Sequence, residues 1–436
     1  MNTIALTGFI MLVIMVFALI RLKVLPVTVF SILPLIGALC LGHGFKEIMD
    51  FYAAGMKGVF NIAMLFIGSI TFFGIMDEVG LFERPINYIT KKIRPNTFVI
   101  YCATIFFVII SHLDGSGVTT LLVTVPATLP IIKKLRMRVV PYNFIVTISI
   151  AVMNLLPWGG PLGRAAAVVG CDVMELYLRV LPVQIFGIVF IFFCAYLQAR
   201  YENSHGYGAK VPAEGEDLSS AITVSEEEKM LRKGNRYWLN VAITAGVLGM
   251  LFAGIPSFVP FFVGTAIALP VNYYAEGDKF QAKRIAAQAG NALPMIVTIV
   301  GAGMLLGVMN GTGMIEQMAT VLAGLMPASL GKYLHIFFGI IGIPLTIVFD
   351  ADSMNYGILP VVAKVGELYG VSSVRSALAI AIAHNSGVGM CLTSGSVYFS
   401  LGLMGLEYTE VFKYNFWKYI CFGTVLILFA AIIGVI

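Results

Sequence analysis

The stretch His112-Leu-Asp-Gly-Ser-Gly-Val-Thr-Thr120 interrupts an otherwise apolar segment that runs from residue 97 to residue 135. That segment is too short for two ordinary spanning helices, each of which needs about 20 mostly apolar residues. Irregular backbone at membrane depth persists only where protein buries it or where it borders a water-filled cavity. The sequence therefore predicts a re-entrant hairpin over residues 97–135, with the polar stretch at its tip.

A second apolar segment, residues 333–365, repeats this design around Asp350-Ala-Asp-Ser353. Other similarities support an internal repeat, which is typical of secondary transporters. Three pairs of positions occur in the same order in the two halves: Gly80-Leu-Phe-Glu83 with Gly313-Met-Ile-Glu316, Asp114 with Asp350, and Asn154 with Asn385.

The composition is that of a membrane protein. Of the 436 residues, 59% are hydrophobic and only 12% are charged, whereas about a quarter of the residues of a soluble protein are charged. The net charge of +5 is no argument for a nucleic-acid partner, and none is expected. The six cysteines are scattered without metal-ligand spacing, so we interpret them as packing residues.

The apolar runs predict an all-α polytopic membrane protein, an inverted repeat in which each half has five transmembrane helices, a re-entrant hairpin and a broken helix. The first half is predicted over residues 1–199, a cytoplasmic linker over 200–236 and the second half over 237–436. The ten predicted spans are 3–20, 24–42, 58–76, 141–172 and 180–199, then 237–253, 256–273, 290–309, 373–405 and 414–435.

The distribution of basic residues predicts the orientation. With Arg21 and Lys23 in the cytoplasm, most of the 28 basic residues fall on the cytoplasmic side, as the positive-inside rule requires. Five spans per half make the second half inverted relative to the first. We therefore expect a multi-pass protein of the cytoplasmic membrane, whose first hairpin opens from the cytoplasm and whose second opens from outside.

Two of the predicted spans contain helix breaks. Residues 141–172 include Asn154-Leu-Leu-Pro-Trp-Gly-Gly-Pro161, and residues 373–405 include His384-Asn-Ser-Gly-Val-Gly389 followed by Thr393-Ser-Gly-Ser396. Proline removes helix hydrogen bonds and glycine weakens those that remain. A helix broken at mid-membrane offers N–H groups that suit a carboxylate and carbonyl groups that suit a cation. The breaks and the hairpin tips are therefore expected to converge on one binding site.

Candidate site residues follow from these four elements. An intramembrane carboxylate is functional by default, and this interpretation is favoured over the alternative that each aspartate only caps a turn. The candidates for cation coupling are Asp114, Asp350, Asp352, Ser353 and Asn355. The candidates for substrate binding are Ser116, Gly117, Thr119, Thr120, Asn154, Gly159, Gly160, Arg164, Asn385, Ser386, Thr393, Ser394 and Ser396; serine and threonine also commonly join transmembrane helices.

Three further side chains have two interpretations each. Arg164 either clamps a substrate carboxylate or extends away from the site. His112 and His384 either titrate or form structural hydrogen bonds, and the second interpretation is favoured. Trp158 is interpreted as packing beside the first break.

Motifs for other chemistries are absent from the sequence. It contains no glycine-rich phosphate loop with Lys and Ser or Thr, so ATP is not expected to drive transport. It also lacks a Cys/His cluster for a structural metal and a nucleophile–base pair, so we expect neither a cofactor nor an enzyme.

Several of these motifs resemble the metal–citrate symporter family, CitMHS, within the ion-transporter superfamily. The resemblance rests on Leu113-Asp-Gly-Ser-Gly-Val-Thr-Thr, Met153-Asn-Leu-Leu-Pro-Trp-Gly-Gly-Pro, Gly74-Ile-Met-Asp-Glu-Val-Gly-Leu-Phe and Tyr356-Gly-Ile-Leu-Pro-Val-Val-Ala-Lys. It covers most of the chain. It implies proton-coupled uptake of citrate complexed with a divalent cation, and two hairpins that hold substrate in a scaffold-and-moving-domain arrangement.

The sequence departs from the family pattern at two places. Ser116 stands where the family's first tip has a second acidic residue, and His384-Asn-Ser-Gly-Val-Gly-Met replaces a His-x-x-Ser-Pro-Leu-Val-Pro-like stretch. The loss of a carboxylate weakens the case for a hard divalent ion, which prefers several oxygen ligands.

The sequence thus predicts a cation-coupled secondary transporter of citrate or a similar small carboxylate, in the lipid bilayer. The co-transported ion is a divalent cation, a proton or sodium. The alternatives are a sodium- or proton-coupled carrier of another organic anion, such as a dicarboxylate or hydroxy acid, and an anion channel. A homodimer is compatible with the sequence, which does not determine the oligomeric state.

Overall fold

The computed structural model describes residues 2–92, 96–208 and 231–436, and these residues form helices and connecting turns without a β-strand. Seven helical segments within this described part are long and apolar enough to cross a membrane, by length and composition. Shorter apolar helices accompany them, among them Pro26–Cys40 and Val259–Tyr273. The predicted class, an all-helical multi-pass membrane protein, is confirmed.

The first part of the chain contains nine helices up to residue 208. They are α1 (Thr3–Ile20), α2 (Pro26–Cys40), α3 (Phe45–Glu78), α4 (Glu83–Lys92), α5 (Thr97–Ser111), α6 (Gly117–Lys134), α7 (Val139–Met153), α8 (Gly160–Val169) and α9 (Val173–Ser204).

The second part repeats this order with two short additions, α12 and α15. Its helices are α10 (Tyr237–Phe252), α11 (Val259–Tyr273), α12 (Asp278–Ala287), α13 (Ala289–Gly311), α14 (Met314–Leu325), α15 (Ala328–Gly331), α16 (Leu334–Leu345), α17 (Leu359–Leu368), α18 (Ser373–Gly387), α19 (Gly395–Met404) and α20 (Tyr408–Ile432). Hairpin α16–α17 corresponds in order to α5–α6, and the pair α18/α19 to α7/α8. The inverted orientation of the halves stays a prediction.

Two helices extend beyond the predicted boundaries. The span predicted at 58–76 is part of the 34-residue helix α3, which is about 51 Å long at about 1.5 Å per residue. Its first turns carry charged residues, and so the apolar count omitted them. The first half was predicted to end at residue 199, but α9 continues to Ser204 because Glu202 is buried and bonds Arg138. Residues 209–230 of the predicted linker lie outside the described residues.

The end of that linker packs on the polar end of α3. Arg232 donates a hydrogen bond to the backbone oxygen of Asp77 at 2.8 Å. Lys233 donates to Glu276 at 2.6 Å, in the turn after α11, and this hydrogen bond lowers the pKa of the Glu276 carboxyl. The linker therefore returns to the same end of the molecule at which α3 ends.

The helices form two packing groups. In the first, α13 contacts α2 and α3, α11 contacts α3, and α1 contacts α2 and α14. In the second, α5 contacts α6, α7 and α9, while α18 contacts α16, α17 and α20. The groups are joined by α8, which contacts α3 and α13 on one side and α18 on the other, and by the contact of α14 with α17. Each group contains elements of both halves of the chain.

Glycines set the closest helix contact in the first group. Gly55 of α3 lies against Gly303 and Gly307 of α13, which form a Gly-x-x-x-Gly pair. A Cβ atom at Gly55 would overlap the carbonyl oxygen of Gly303 and lie 2.8 Å from the Cα atom of Gly307. Small residues allow membrane helices to approach in this way, and van der Waals packing then holds them together.

We predict that Gly55→Ala lowers the stability of the protein by about 1–3 kcal/mol, because a methyl group placed against backbone forces α3 and α13 apart. Gly58→Ala is the matched control, since it lies on the same helix and a Cβ atom there meets nothing within 4 Å. The apparent melting temperature of the purified protein in detergent measures both changes. Equal melting temperatures for the two variants would contradict the predicted contact.

Candidate substrate cavity

The two hairpin tips and the two helix breaks surround one cavity of about 630 Å³. The first tip contributes residues 114–119, and the second contributes Asp350 to Asp352. The first break contributes Asn154, Trp158 and Gly160. The second break contributes most residues of the stretch from His384 to Ser396. Helices α3, α7 and α13 complete the lining. The sequence-based expectation that these four elements converge agrees with this geometry.

The first tip is held by side-chain caps. The backbone turns at Gly115, whose φ is +76°, and Asp114 Oδ1 accepts a hydrogen bond from the Ser116 backbone N–H at 2.8 Å. Ser116 is the N-cap of α6, and its Oγ accepts from the backbone N–H and the hydroxyl of Thr119 at 3.3 and 3.0 Å. Asp114, Ser116 and Thr119 thus cap the turn and also line the cavity.

A buried hydrogen-bond chain ties the first tip to the first break. His112 is fully buried; its Nδ1 lies 2.8 Å from the hydroxyl of Thr120, and its Nε2 lies 3.0 Å from Oδ1 of Asn154. The Thr120 hydroxyl donates to the Ser116 carbonyl at 2.7 Å. His112 and Thr120 are therefore in structural contacts behind the cavity wall, as the favoured interpretation of His112 expected.

Trp158 makes the second connection between this tip and the break. Its indole N–H donates to the Leu113 carbonyl at 2.8 Å. Its ring packs against Phe73 and Phe261, with centroid distances of 5.2 and 5.5 Å. The interpretation of Trp158 as a packing residue agrees with these contacts, and the indole also satisfies a carbonyl group freed where α5 ends.

The second tip contains a buried ion pair. Asp350 Oδ1 accepts from the Ser353 backbone N–H at 2.8 Å, which repeats the cap seen at Asp114. Asp352 lies 2.7 Å from the Nε atom of Arg164 in α8, and the two side chains are only 14% and 12% exposed. Neither interpretation of Arg164 from the sequence, a free clamp for substrate or a side chain extended away, describes this pairing.

A π-helix follows the second tip, from Ser353 to Ile358. A π-helical turn inside a helix is uncommon and frequently marks a functional site. Ser353 and Asn355 lie in this segment and are buried. Asn355 donates to the Ala351 carbonyl at 2.8 Å, and neither residue lines the cavity.

At the second break, α18 ends in a short 3₁₀ turn, and Leu392 donates from its backbone N–H to the Ile347 carbonyl at 3.0 Å. This bond ties the second break to the second tip. The hydroxyl groups of Ser394 and Ser396 lie 2.8 Å apart on the cavity wall. Ser386 instead donates to the Ile382 carbonyl of its own helix at 2.7 Å.

Most predicted site residues line the cavity, but five do not. The lining contains Asp114, Ser116, Gly117, Thr119, Asn154, Gly160, Arg164, Asp350, Asp352, Asn385, Thr393, Ser394 and Ser396. The five that lie outside it are Thr120, Gly159, Ser353, Asn355 and Ser386. The functional roles of all of these residues remain predictions.

A polar group at the end of α3 also lines the cavity, and the sequence did not predict it. Asp77 and Glu78 line the cavity together with Gln288 and Asn291 near the start of α13. Gln288 donates to Glu78 at 2.8 Å, and Arg284 lies 3.9 Å from the same carboxyl group. The signal was present, because two adjacent acidic residues end an apolar run in Gly74-Ile-Met-Asp-Glu.

Comparison with solved structures identifies the fold. The YdaH transporter of Alcanivorax borkumensis, described as having an unusual topology, matches with a TM-score of 0.57, covering 92% of this chain and 89% of that chain. At 12% sequence identity this likeness extends to the fold alone. Together with the central polar cavity, it defines the class: a multi-span membrane protein with a transporter fold.

Comparison of sequences identifies the family. The model of the CitMHS family, described as citrate transporters, matches residues 3–354, so the chain belongs to this family. The "Citrate transporter" of Bacillus subtilis (strain 168) is 28% identical over 433 residues, covering 99% of each chain. The "Mg(2+)/citrate complex secondary transporter" of the same organism is 29% identical, covering 86% of each chain. The protein is a transporter and not an enzyme.

We predict that Arg164→Gln and Asp352→Asn each destabilise the protein by about 3–5 kcal/mol, because each leaves a charge buried without its partner. The double variant should lose clearly less than the sum of the two single losses. Arg179→Gln is the control, since Arg179 pairs with Glu175 at a site where both side chains are about half exposed and such pairs contribute only about 0–1 kcal/mol. The free energies of unfolding of the wild type, the two single variants and the double variant are measured in detergent. Additive losses would contradict the pairing.

Proposed function

We propose that this protein is a cation-coupled secondary transporter that carries citrate or a similar small carboxylate across the cytoplasmic membrane. Membership of the citrate transporter family and the names of the relatives support the substrate class. The charge of the cavity supports the coupling to cations, and this observation carries the proposal.

The cavity lining is rich in carboxyl groups. It contains Asp77, Glu78, Asp114, Asp350 and Asp352; Arg164 is paired with Asp352, and Arg284 lies 3.9 Å from Glu78. Two like charges about 4 Å apart repel by about 4 kcal/mol at the effective dielectric constant near a protein surface. A bare polycarboxylate entering this cavity would therefore be repelled. Cations that enter with the substrate, or protons on the carboxyl groups, remove that repulsion.

The aspartates at the two tips are the proposed cation-handling groups. Asp114 uses one carboxylate oxygen to hold the turn before α6, and Asp350 uses one to cap the helix start at the second tip. Both line the cavity. The hydroxyl and amide groups of Thr119, Asn154 and Ser394 are proposed to position the substrate beside them. These polar groups are proposed to orient the substrate, while the carboxylates carry the negative charge that requires a counter-ion.

A divalent cation is proposed to arrive as part of the substrate. Within the described residues, no group of three or more His, Cys, Asp or Glu side chains is arranged to hold a metal ion. Ser116, which stands at the second acidic position of the family motif, uses its hydroxyl to cap α6. Since a divalent cation prefers several oxygen ligands, a polycarboxylate supplies the ligands that the protein lacks.

The cavity is proposed to face the cytoplasm. The end of α3, with Asp77 and Glu78, and the start of α13, with Asn291, form part of its lining. The basic helix α4 follows α3 at this end, and α12, which carries Lys279 to Arg284, precedes α13. The positive-inside rule places such segments in the cytoplasm. Movement between the two packing groups would then expose the site to the other side.

We predict that Asp114→Asn lowers coupled citrate uptake by on the order of tenfold or more, because it removes the intramembrane charge that handles the cation. Asp172→Asn is a closely matched control. Asp172 accepts a backbone N–H two residues later at 2.8 Å, just as Asp114 does, but it does not line the cavity. Asparagine preserves both caps. Uptake of labelled citrate into proteoliposomes measures the two rates.

The same assay separates the alternatives. Uptake is measured with magnesium, calcium or sodium, and with a proton gradient alone. A requirement for the divalent ion supports transport of a complex, whereas uptake without it supports a carrier of the free anion. Equal uptake by Asp114→Asn and Asp172→Asn would refute the role of Asp114, and voltage-driven currents without saturation would indicate a channel.

A further inference from the structure

At the second break, His384 and Asn385 line the cavity and are nearly fully buried, with 3% and 2% of their surface exposed. Neither ring nitrogen of His384 and neither end of the Asn385 amide has a hydrogen-bond partner among the described residues. A buried polar group without a partner costs about 1–3 kcal/mol. Two residues that line the cavity thus hold four buried hydrogen-bonding atoms without a partner among the described residues.

The first half shows that this is not a general property of polar residues around the cavity. Asn154, which corresponds to Asn385 in the internal repeat, faces His112 at 3.0 Å. The other nitrogen of His112 faces Thr120 at 2.8 Å. The same residue types are thus paired with protein groups at the first break and unpaired at the second. This asymmetry indicates that the second break, rather than the first, offers hydrogen bonds to the substrate.

The unpaired atoms specify the chemistry of their ligand. A neutral histidine offers one N–H donor and one acceptor nitrogen, and an asparagine amide offers a donor NH₂ group and an acceptor oxygen. A carboxylate only accepts hydrogen bonds, so it would leave the two acceptors unsatisfied. A hydroxyl group both donates and accepts, and it can therefore bond to groups of both kinds.

We propose that His384 and Asn385 form a subsite that recognises the hydroxyl group of the substrate, so that the transporter selects hydroxycarboxylates over carboxylates of the same charge that lack the hydroxyl. The proposal rests on the proposed carboxylate transport and names the substrate class within it. Helix α8, which carries Arg164, packs against α18, so the hydroxyl subsite adjoins the Arg164–Asp352 ion pair. A site built to bond a hydroxyl group discriminates strongly against an analogue without one, because its buried polar groups are then left unpaired.

Citrate and tricarballylate test this subsite, because they share three carboxylates and differ in one hydroxyl group. We expect the wild-type protein in proteoliposomes to prefer citrate in uptake efficiency by about tenfold to a hundredfold, because a buried polar group left without a partner has an effect of this size. His384→Leu and Asn385→Leu should lower this preference towards equality. His384→Gln keeps a donor and an acceptor and should preserve most of it.

Asn415→Leu is the matched control. Asn415 is fully buried, has an unpartnered Oδ1 atom among the described residues and does not line the cavity, so this variant should keep the wild-type ratio. Equal uptake of citrate and tricarballylate by the wild type would overturn the hydroxyl subsite and leave the proposed transport of carboxylates intact. Uptake of neither would refute both. If His384→Leu fails to fold, the ratio of citrate to tricarballylate uptake in the wild type and in Asn385→Leu tests the subsite. An unchanged ratio in Asn385→Leu overturns it.

Discussion

The structure depends on one constraint: backbone groups released by a helix inside the membrane need new hydrogen-bond partners. The chain leaves helical geometry at two tips and two breaks, and each is tied down locally. Asp114 holds the turn before α6, and Asp350 caps the helix that follows the second tip. Trp158 satisfies the Leu113 carbonyl group, and the Leu392 N–H bonds across to the second tip. Several of the groups that satisfy this constraint also line the cavity, so the same side chains serve the fold and the proposed binding of substrate.

The cavity is lined both by charged side chains and by uncharged polar groups. Arg164 could attract an anion, yet its pairing with Asp352 neutralises it. Asp114 and Asp350 keep the lining acidic. The proposed coupling to cations fits this acidity, because cations that enter with an anionic substrate would remove the repulsion between like charges. The uncharged groups at the second break, His384 and Asn385, are proposed to distinguish carboxylates that carry a hydroxyl group from those that do not.

The sequence predicted the tips and breaks because glycine, proline and aspartate interrupt apolar runs there, and such interruptions are local signals. It did not predict which face of each helix lines the cavity. Thr120 and Ser386 were assigned to the site, but each hydroxyl bonds the carbonyl group four residues earlier. Asp77 and Glu78 were missed because α3 continues through them without a break. The pairing of Arg164 with Asp352 depends on tertiary packing of segments 188 residues apart, which no local pattern encodes.

That separation also bears on how the protein is made. Arg164 enters the membrane with α8, while Asp352 belongs to a hairpin that is synthesised much later, since chains grow at about 5–20 residues per second. During that interval the guanidinium group has no counter-charge from the second half, and a lone charge at membrane depth is costly. The first half therefore emerges as an incomplete unit, and closure of the ion pair is a late event of biogenesis that joins the two halves into one folded transporter.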